Sequence, residues 1–178
     1  MSQEKILKLR QVERVKELEV ERVVDLCRRV CRMQTLLDIG TGSGLFAEAF
    51  RARGVSVQGV DPDPDMIAAA RTFVPGLHLQ VADAEALPYA AGTFDSCFMG
   101  MVLHEIPNPK QALAEACRVA RTMVAILEWP TPRPEDPEPP ARRITSGEMQ
   151  IYAQMTGCRS MSTYALQHMV LYLLRLSE

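Results

Sequence analysis

No stretch of this 178-residue chain approaches the roughly 18 consecutive apolar residues that cross a bilayer, and the leading MSQEKILKLR lacks the apolar run of an export signal. A cytoplasmic protein with no membrane span is expected. Cysteine is sparse and odd in number, and without export Cys27, Cys31, Cys97, Cys117 and Cys158 read as reduced thiols buried as small hydrophobes. Cys27 and Cys31 share a helix face, yet no histidine or further cysteine lies near them to complete a tetrahedral site, so no metal is expected. Net charge is only −2. Residues 1–33 hold nine Lys or Arg against six acids, and residues 34–178 hold eleven against sixteen. An acidic main body argues against a nucleic-acid partner, which requires a basic footprint. No internal repeat is present.

What remains is an ordinary globular composition, 47% hydrophobic and 24% charged, long enough for one domain to bury a core without staples. Residues 4–33 place Ile6, Leu9, Val12, Val15, Leu18, Val20, Val23, Val24, Cys27, Val30 and Cys31 at helical spacing with charges between them, which predicts an amphipathic helix, or two with a bend. From Thr35 the pattern changes. Short apolar runs at 35–39, 55–60, 77–81, 94–101 and 122–128 alternate with helical stretches near 44–53, 64–73 and 109–120, which predicts βαβ units and a parallel sheet covered on both faces. Residues 130–140, PTPRPEDPEPP, carry six of the twelve prolines and read as a stiff connector. Beyond it come a helix over 145–156 and two β-like runs, 160–165 and 168–176.

The segment with chemical content is Asp38-Ile39-Gly40-Thr41-Gly42-Ser43-Gly44, set between the first strand and a helix. Glycines there allow a tight turn and close approach of a ligand to the backbone, and the helix start offers free N–H groups. Asp61 ends the second strand, where a carboxylate can accept both hydroxyls of a ribose. Loop and acid together point to a ribonucleoside ligand. The order G-x-G-x-G puts Leu45 where a dinucleotide fingerprint requires glycine, and Asp38 would repel a pyrophosphate while suiting a cationic group. A ligand carrying an ammonium and a sulfonium fits better than a dinucleotide.

On these residues the chain resembles the class I S-adenosylmethionine-dependent methyltransferases, in particular the small-molecule branch that looks like quinone-biosynthesis methyltransferases. LLDIGTGSG at 36–44 is similar to the family's first motif, GVDPDPDMI at 59–67 to its second, VADAEALPYAAGTFD at 81–95 to its third, and FDSCFMGMVLHEIPNP at 94–109 to the fourth strand and its turn. Residues 147–176 resemble the family's closing helix and antiparallel strand pair. The resemblance implies a three-layer, Rossmann-like α/β sandwich with a seven-stranded sheet in the order 3-2-1-4-5-7-6, the last strand antiparallel. It also implies cofactor roles for Asp38, Gly40, Thr41, Gly42 and Gly44 at the methionine part, and for Asp61 and Pro62 at the ribose. Met66 would lie against the adenine, Asp83 and Ala84 would bond it, and Gly100 would border the methyl-transfer position.

The expected activity is in-line methyl transfer from S-adenosylmethionine to a small-molecule acceptor, with S-adenosylhomocysteine as product, by a monomer or homodimer. His104, after the fourth strand, is the candidate base for an acceptor hydroxyl or enol; His78 and His168 read as structural. A nucleic-acid or protein methyltransferase would share the cofactor site, but GMVLHEI replaces the Asn/Asp-Pro-Pro-aromatic motif expected of one. A non-catalytic S-adenosylmethionine-binding protein is the other alternative. The domain reading is an N-terminal helical segment, 1–33, acting as a lid, followed by a methyltransferase domain, 34–178.

Overall fold

Turn chemistry and strand alternation between them set the order of elements in the computed structural model, which describes residues 9–130 and 142–177. Two short helices come first, α1 (Val12–Glu17) and α2 (Val20–Val30). The predicted amphipathic stretch is therefore bent, and the bend falls at Glu19, a non-glycine residue in the left-handed region at φ 47°. Then follow β1 (Thr35–Ile39), α3 (Leu45–Arg51), β2 (Ser56–Asp61), α4 (Pro64–Phe73), β3 (His78–Val81) and β4 (Phe94–Gly100). A single 3₁₀ turn at Leu103–Glu105 precedes α5 (Pro109–Val119) and β5 (Ala120–Glu128), and the chain closes with α6 (Ser146–Met155), β6 (Ser160–Ala165) and β7 (Val170–Arg175). Residues 1–8 of the N-terminal segment and all of the proline-rich connector except Pro130 lie outside the described residues.

Helix starts obey local rules. Asp63 accepts the Asp65 N–H ahead of Pro64, Asn108 accepts the Gln111 N–H ahead of Pro109, and Thr145 and Glu148 form a reciprocal capping box. The seven strands form one sheet in the order β3-β2-β1-β4-β5-β7-β6. The first five are parallel, and β7 runs antiparallel to both β5 and β6. This is the order implied by the methyltransferase resemblance. In such a sheet the chain reverses its winding direction beside β1, so the crevice outside the carboxyl ends of β1 and β4 is where a ligand fits.

Side-chain alternation divides the core between the two faces. Leu37, Ile39, Cys97 and Met99 pack with Leu113 and Ala116 of α5 and with Met149 and Tyr152 of α6. Leu36 and Phe98 face the other way, onto Val23, Val24 and Cys27 of α2 and Phe46 and Phe50 of α3. Phe98 is fully buried, its ring centroid 4.6 Å from that of Phe46 and 5.3 Å from that of Phe50. Asp95 fastens the opposite end of the sheet, accepting the N–H groups of Gln34 and Thr35 and the Arg121 guanidinium.

Truncating Phe98 would empty the centre of this aromatic cluster. Phe98→Ala is expected to cost about 3–5 kcal/mol, read as a lowered midpoint in urea with the slope preserved. A loss below about 1 kcal/mol would mean that the cluster collapses to fill the void.

Candidate active site

The carboxyl ends of β1, β2, β4 and β5 surround a cavity of about 470 Å³, a size suited to a nucleoside-like ligand. The loop from Gly40 to Ser43 lines it. Two glycines there have different tasks. A Cβ at Gly40 would lie 2.4 Å from Val102 Cγ2, so this glycine lets the loop pack against the segment after β4. A Cβ at Gly42 would meet nothing nearer than 4.0 Å, so Gly42, at φ +53°, leaves space in the cavity itself.

Two carboxylates hold this loop. Asp38 is 2% exposed and accepts a 2.7 Å hydrogen bond from the Thr41 hydroxyl. Burial pushes its carboxyl up to about 7, against the pull of the Thr41 bond. Asp61, at the end of β2, accepts the Gly42 N–H on Oδ2 at 2.9 Å and the Asp63 N–H on Oδ1 at 3.0 Å. Burial raises this carboxyl as well, while the two backbone donors act in the opposite direction. Each Asp61 oxygen keeps a lone pair beyond its backbone bond, so the group that anchors the loop can also accept two further donors.

Gly100 ends β4 at the cavity wall, and Met101 follows in the left-handed region at φ 59°. The 3₁₀ turn then places His104 against β5. Its Nδ1 lies 2.8 Å from Oε2 of Glu128, and its backbone N–H donates to Oε1 of the same carboxylate at 3.2 Å. Glu128 is fully buried, while the His104 side chain is 11% exposed at the cavity. The Glu128 hydrogen bond raises the His104 pKa above its ordinary value, against desolvation and the nearby Arg14.

Of the sequence candidates, Asp38, Gly40, Thr41, Gly42, Asp61, Pro62, Met66, Gly100 and His104 line this one cavity. Gly44, Asp83 and Ala84 do not. Gly44 caps α3 and packs on Val74 and Ala70, the exposed Asp83 closes its own turn by accepting the Glu85 N–H at 2.9 Å, and Ala84 is buried in the core. Sequence reasoning missed Glu128, behind His104, and the cavity-lining Trp129, Arg14 and Leu9. A buried acid ending the apolar run TMVAILE at the ligand-facing end of a strand was the available signal for Glu128. The others reach the cavity through tertiary packing alone. Leu9, Arg14 and Leu18 form part of its wall, and the Arg10 guanidinium donates to the Ser43 carbonyl at 3.2 and 3.0 Å and to Glu48 at 2.8 Å while lying 4.7 Å from the Phe73 ring centroid.

This strand order and loop are those of a methyltransferase fold. The family described as a methyltransferase domain matches residues 37–125, half of the chain, and the chain belongs to that family. An uncharacterized methyltransferase of Mycobacterium marinum is 34% identical over 142 residues, covering 76% of this chain and 51% of the relative. The chain thus spans about half the length of the curated relatives it matches. Among solved structures, a SAM-dependent methyltransferase from Aquifex aeolicus superposes with a TM-score of 0.83 at 20% identity, covering 99% of this chain and 100% of that one. A SAM-bound amino pentose methyltransferase from Micromonospora echinaspora gives 0.74 at 18% identity, covering 89% and 90%. Both likenesses are likenesses of fold.

The buried Asp38 makes a pH prediction for the unliganded chain. Its folded pKa lies above its unfolded value, so the protonated form contributes stability that is complete below about pH 4 and lost as the pH rises toward 7. Urea titrations of wild type and Asp38→Asn should diverge across that window, the variant gaining on the order of 2–4 kcal/mol relative to wild type by pH 8. A difference independent of pH would contradict the burial of an ionisable group there.

Proposed function

We propose that the chain is an S-adenosylmethionine-dependent methyltransferase that acts on a small-molecule acceptor and releases S-adenosylhomocysteine. The observation that carries this reading is the pairing of Asp61 with Gly42: a strand-end carboxylate with two lone pairs to spare, beside a glycine whose missing side chain leaves room for a ligand. Vicinal ribose hydroxyls match the first. The buried Asp38 matches the cationic methionine part, with Gly40, Thr41 and Gly44 shaping the loop around it. Pro62 and Met66 form the wall beyond the ribose. Asp83 and Ala84 take the adenine edge in this reading, supported by the Ala82 N–H bond to the Asp61 carbonyl, which sets the segment after β3 beside the ribose position. Gly100 borders the transferred methyl group.

When bound, the cofactor supplies a methyl group on a cationic sulfur. The protein's part is to align the acceptor, exclude water and take up a proton. His104 faces the cavity with Nε2 unencumbered by its Glu128 bond and is the candidate base. The N-terminal segment acts as a lid in this reading, supported by the Arg10 bonds to the loop and by Leu9, Arg14 and Leu18 at the cavity wall. A small acceptor is favoured by the modest cavity volume and by the acidic body of the chain.

Incubating the protein with methyl-labelled S-adenosylmethionine and a fractionated cell extract should place label in the small-molecule fraction, where mass identifies the product. Label confined to protein or nucleic acid would refute the acceptor class. In calorimetry, Asp61→Ala should weaken S-adenosylhomocysteine binding at least tenfold, because charge-assisted bonds of about 1.5–3 kcal/mol are lost. Arg10→Ala, which leaves the ribose contacts intact, should instead speed its release in stopped-flow mixing. An unchanged affinity for the first, or an unchanged release rate for the second, rejects the corresponding role.

A further inference from the structure

We propose that Glu128 is a positioning residue that fixes His104 as a proton acceptor, and that the methyl acceptor is a neutral group with a proton to lose, a phenol or enol hydroxyl favoured by the apolar wall, whose proton leaves as the methyl arrives. The inference rests on the methyltransferase reading above and deepens it. A fully buried carboxylate is costly unless paired, and both oxygens of Glu128 are directed at His104, one at the ring and one at the backbone N–H. A carboxylate only accepts, so Nδ1 carries the ring proton and Nε2 presents its lone pair. The groups around the imidazole are Glu128 from β5, Glu105 from its own turn with Oε1 3.9 Å from Nε2, and Arg14 from α1.

Charge conservation explains why a buried acid belongs there. As the acceptor oxygen bonds the methyl carbon, its proton moves to Nε2 and the electron pair of the broken S–CH₃ bond stays on sulfur. The positive charge thus passes from sulfur to the imidazole, where Glu128 is already in place to balance it. An acceptor with no proton to lose would not need this pair. The nearby wall is largely apolar, built from Leu18, Met101, Val102 and Trp129, which suits a neutral conjugated hydroxyl better than an ammonium group.

The test compares wild type, Glu128→Gln and His104→Gln on a panel of phenols and 1,3-dicarbonyl enols graded in acidity, with a thiol and an amine as controls. Glu128→Gln retains an oxygen for the His104 N–H but turns its amide NH₂ toward Nδ1, which moves the ring proton to Nε2. Turnover of neutral phenols should fall by about 10²–10⁴ with little change in KM, while phenols already ionised at the assay pH should be spared. Wild-type turnover should rise with pH through a value above that of an ordinary histidine, and ¹⁵N NMR of the imidazole should show the tautomer reversed in Glu128→Gln independently of activity. S-adenosylhomocysteine titration verifies that each variant keeps its cofactor site. Equal losses on neutral and ionised phenols, or an unchanged tautomer, overturn the role of Glu128. A fully active His104→Gln overturns the base, and a wild type that methylates only the thiol or amine, or none of the panel, overturns the acceptor class. Loss of S-adenosylhomocysteine binding by wild type would instead refute the underlying methyltransferase reading.

Discussion

The hydrogen bond from the Gly42 N–H to the Asp61 carboxylate joins the two halves of this site. The loop leaving β1 turns through three glycines at positive φ before α3 can begin, and such a loop holds one shape only if its amide groups are satisfied. Asp61 satisfies one of them from the neighbouring strand and takes the Asp63 N–H at the start of the next helix. Loop, strand and helix are thereby set in register before any ligand arrives. The sheet order makes this possible, since β1 and β2 run parallel with Asp38 opposite Gly59, which brings the loop and Asp61 to the same edge.

The acids of the chain follow the same logic. Asp38, Asp61 and Glu128 are its buried carboxylates among the described residues, and all three sit at carboxyl ends of parallel strands. Elsewhere a buried acid is a liability. Here each has a local donor that makes it tolerable: the Thr41 hydroxyl, two backbone amides, and the His104 ring with its amide. A nearly neutral chain thus gathers its buried acids at one end of the sheet, two of them, Asp38 and Asp61, at the cavity.

Much of the fold was legible because its punctuation is local. Asp63-Pro64 and Asn108-Pro109 mark helix starts within a few residues, and the apolar runs that became strands alternate faces with period two. The loop residues and Asp61 were legible for the same reason. Glu128 and His104 were not read as a pair, because 24 residues separate them and only the pairing of β4 with β5 brings them together. The contacts of Arg10 and Arg14 depend on how two helices fold back over the loop, with a bend at a glutamate that no turn rule anticipates. At Asp83 the local motif locates a segment rather than a contact, since one carboxylate oxygen accepts the Glu85 N–H of its own turn.

The central claim, that this glycine loop and its strand-end acid hold S-adenosylmethionine rather than a dinucleotide, is tested most directly by titrating the full chain with S-adenosylhomocysteine and, separately, with NADH. The account predicts saturable one-to-one binding of S-adenosylhomocysteine and none of NADH. Tight binding of NADH without competition from S-adenosylhomocysteine would contradict it.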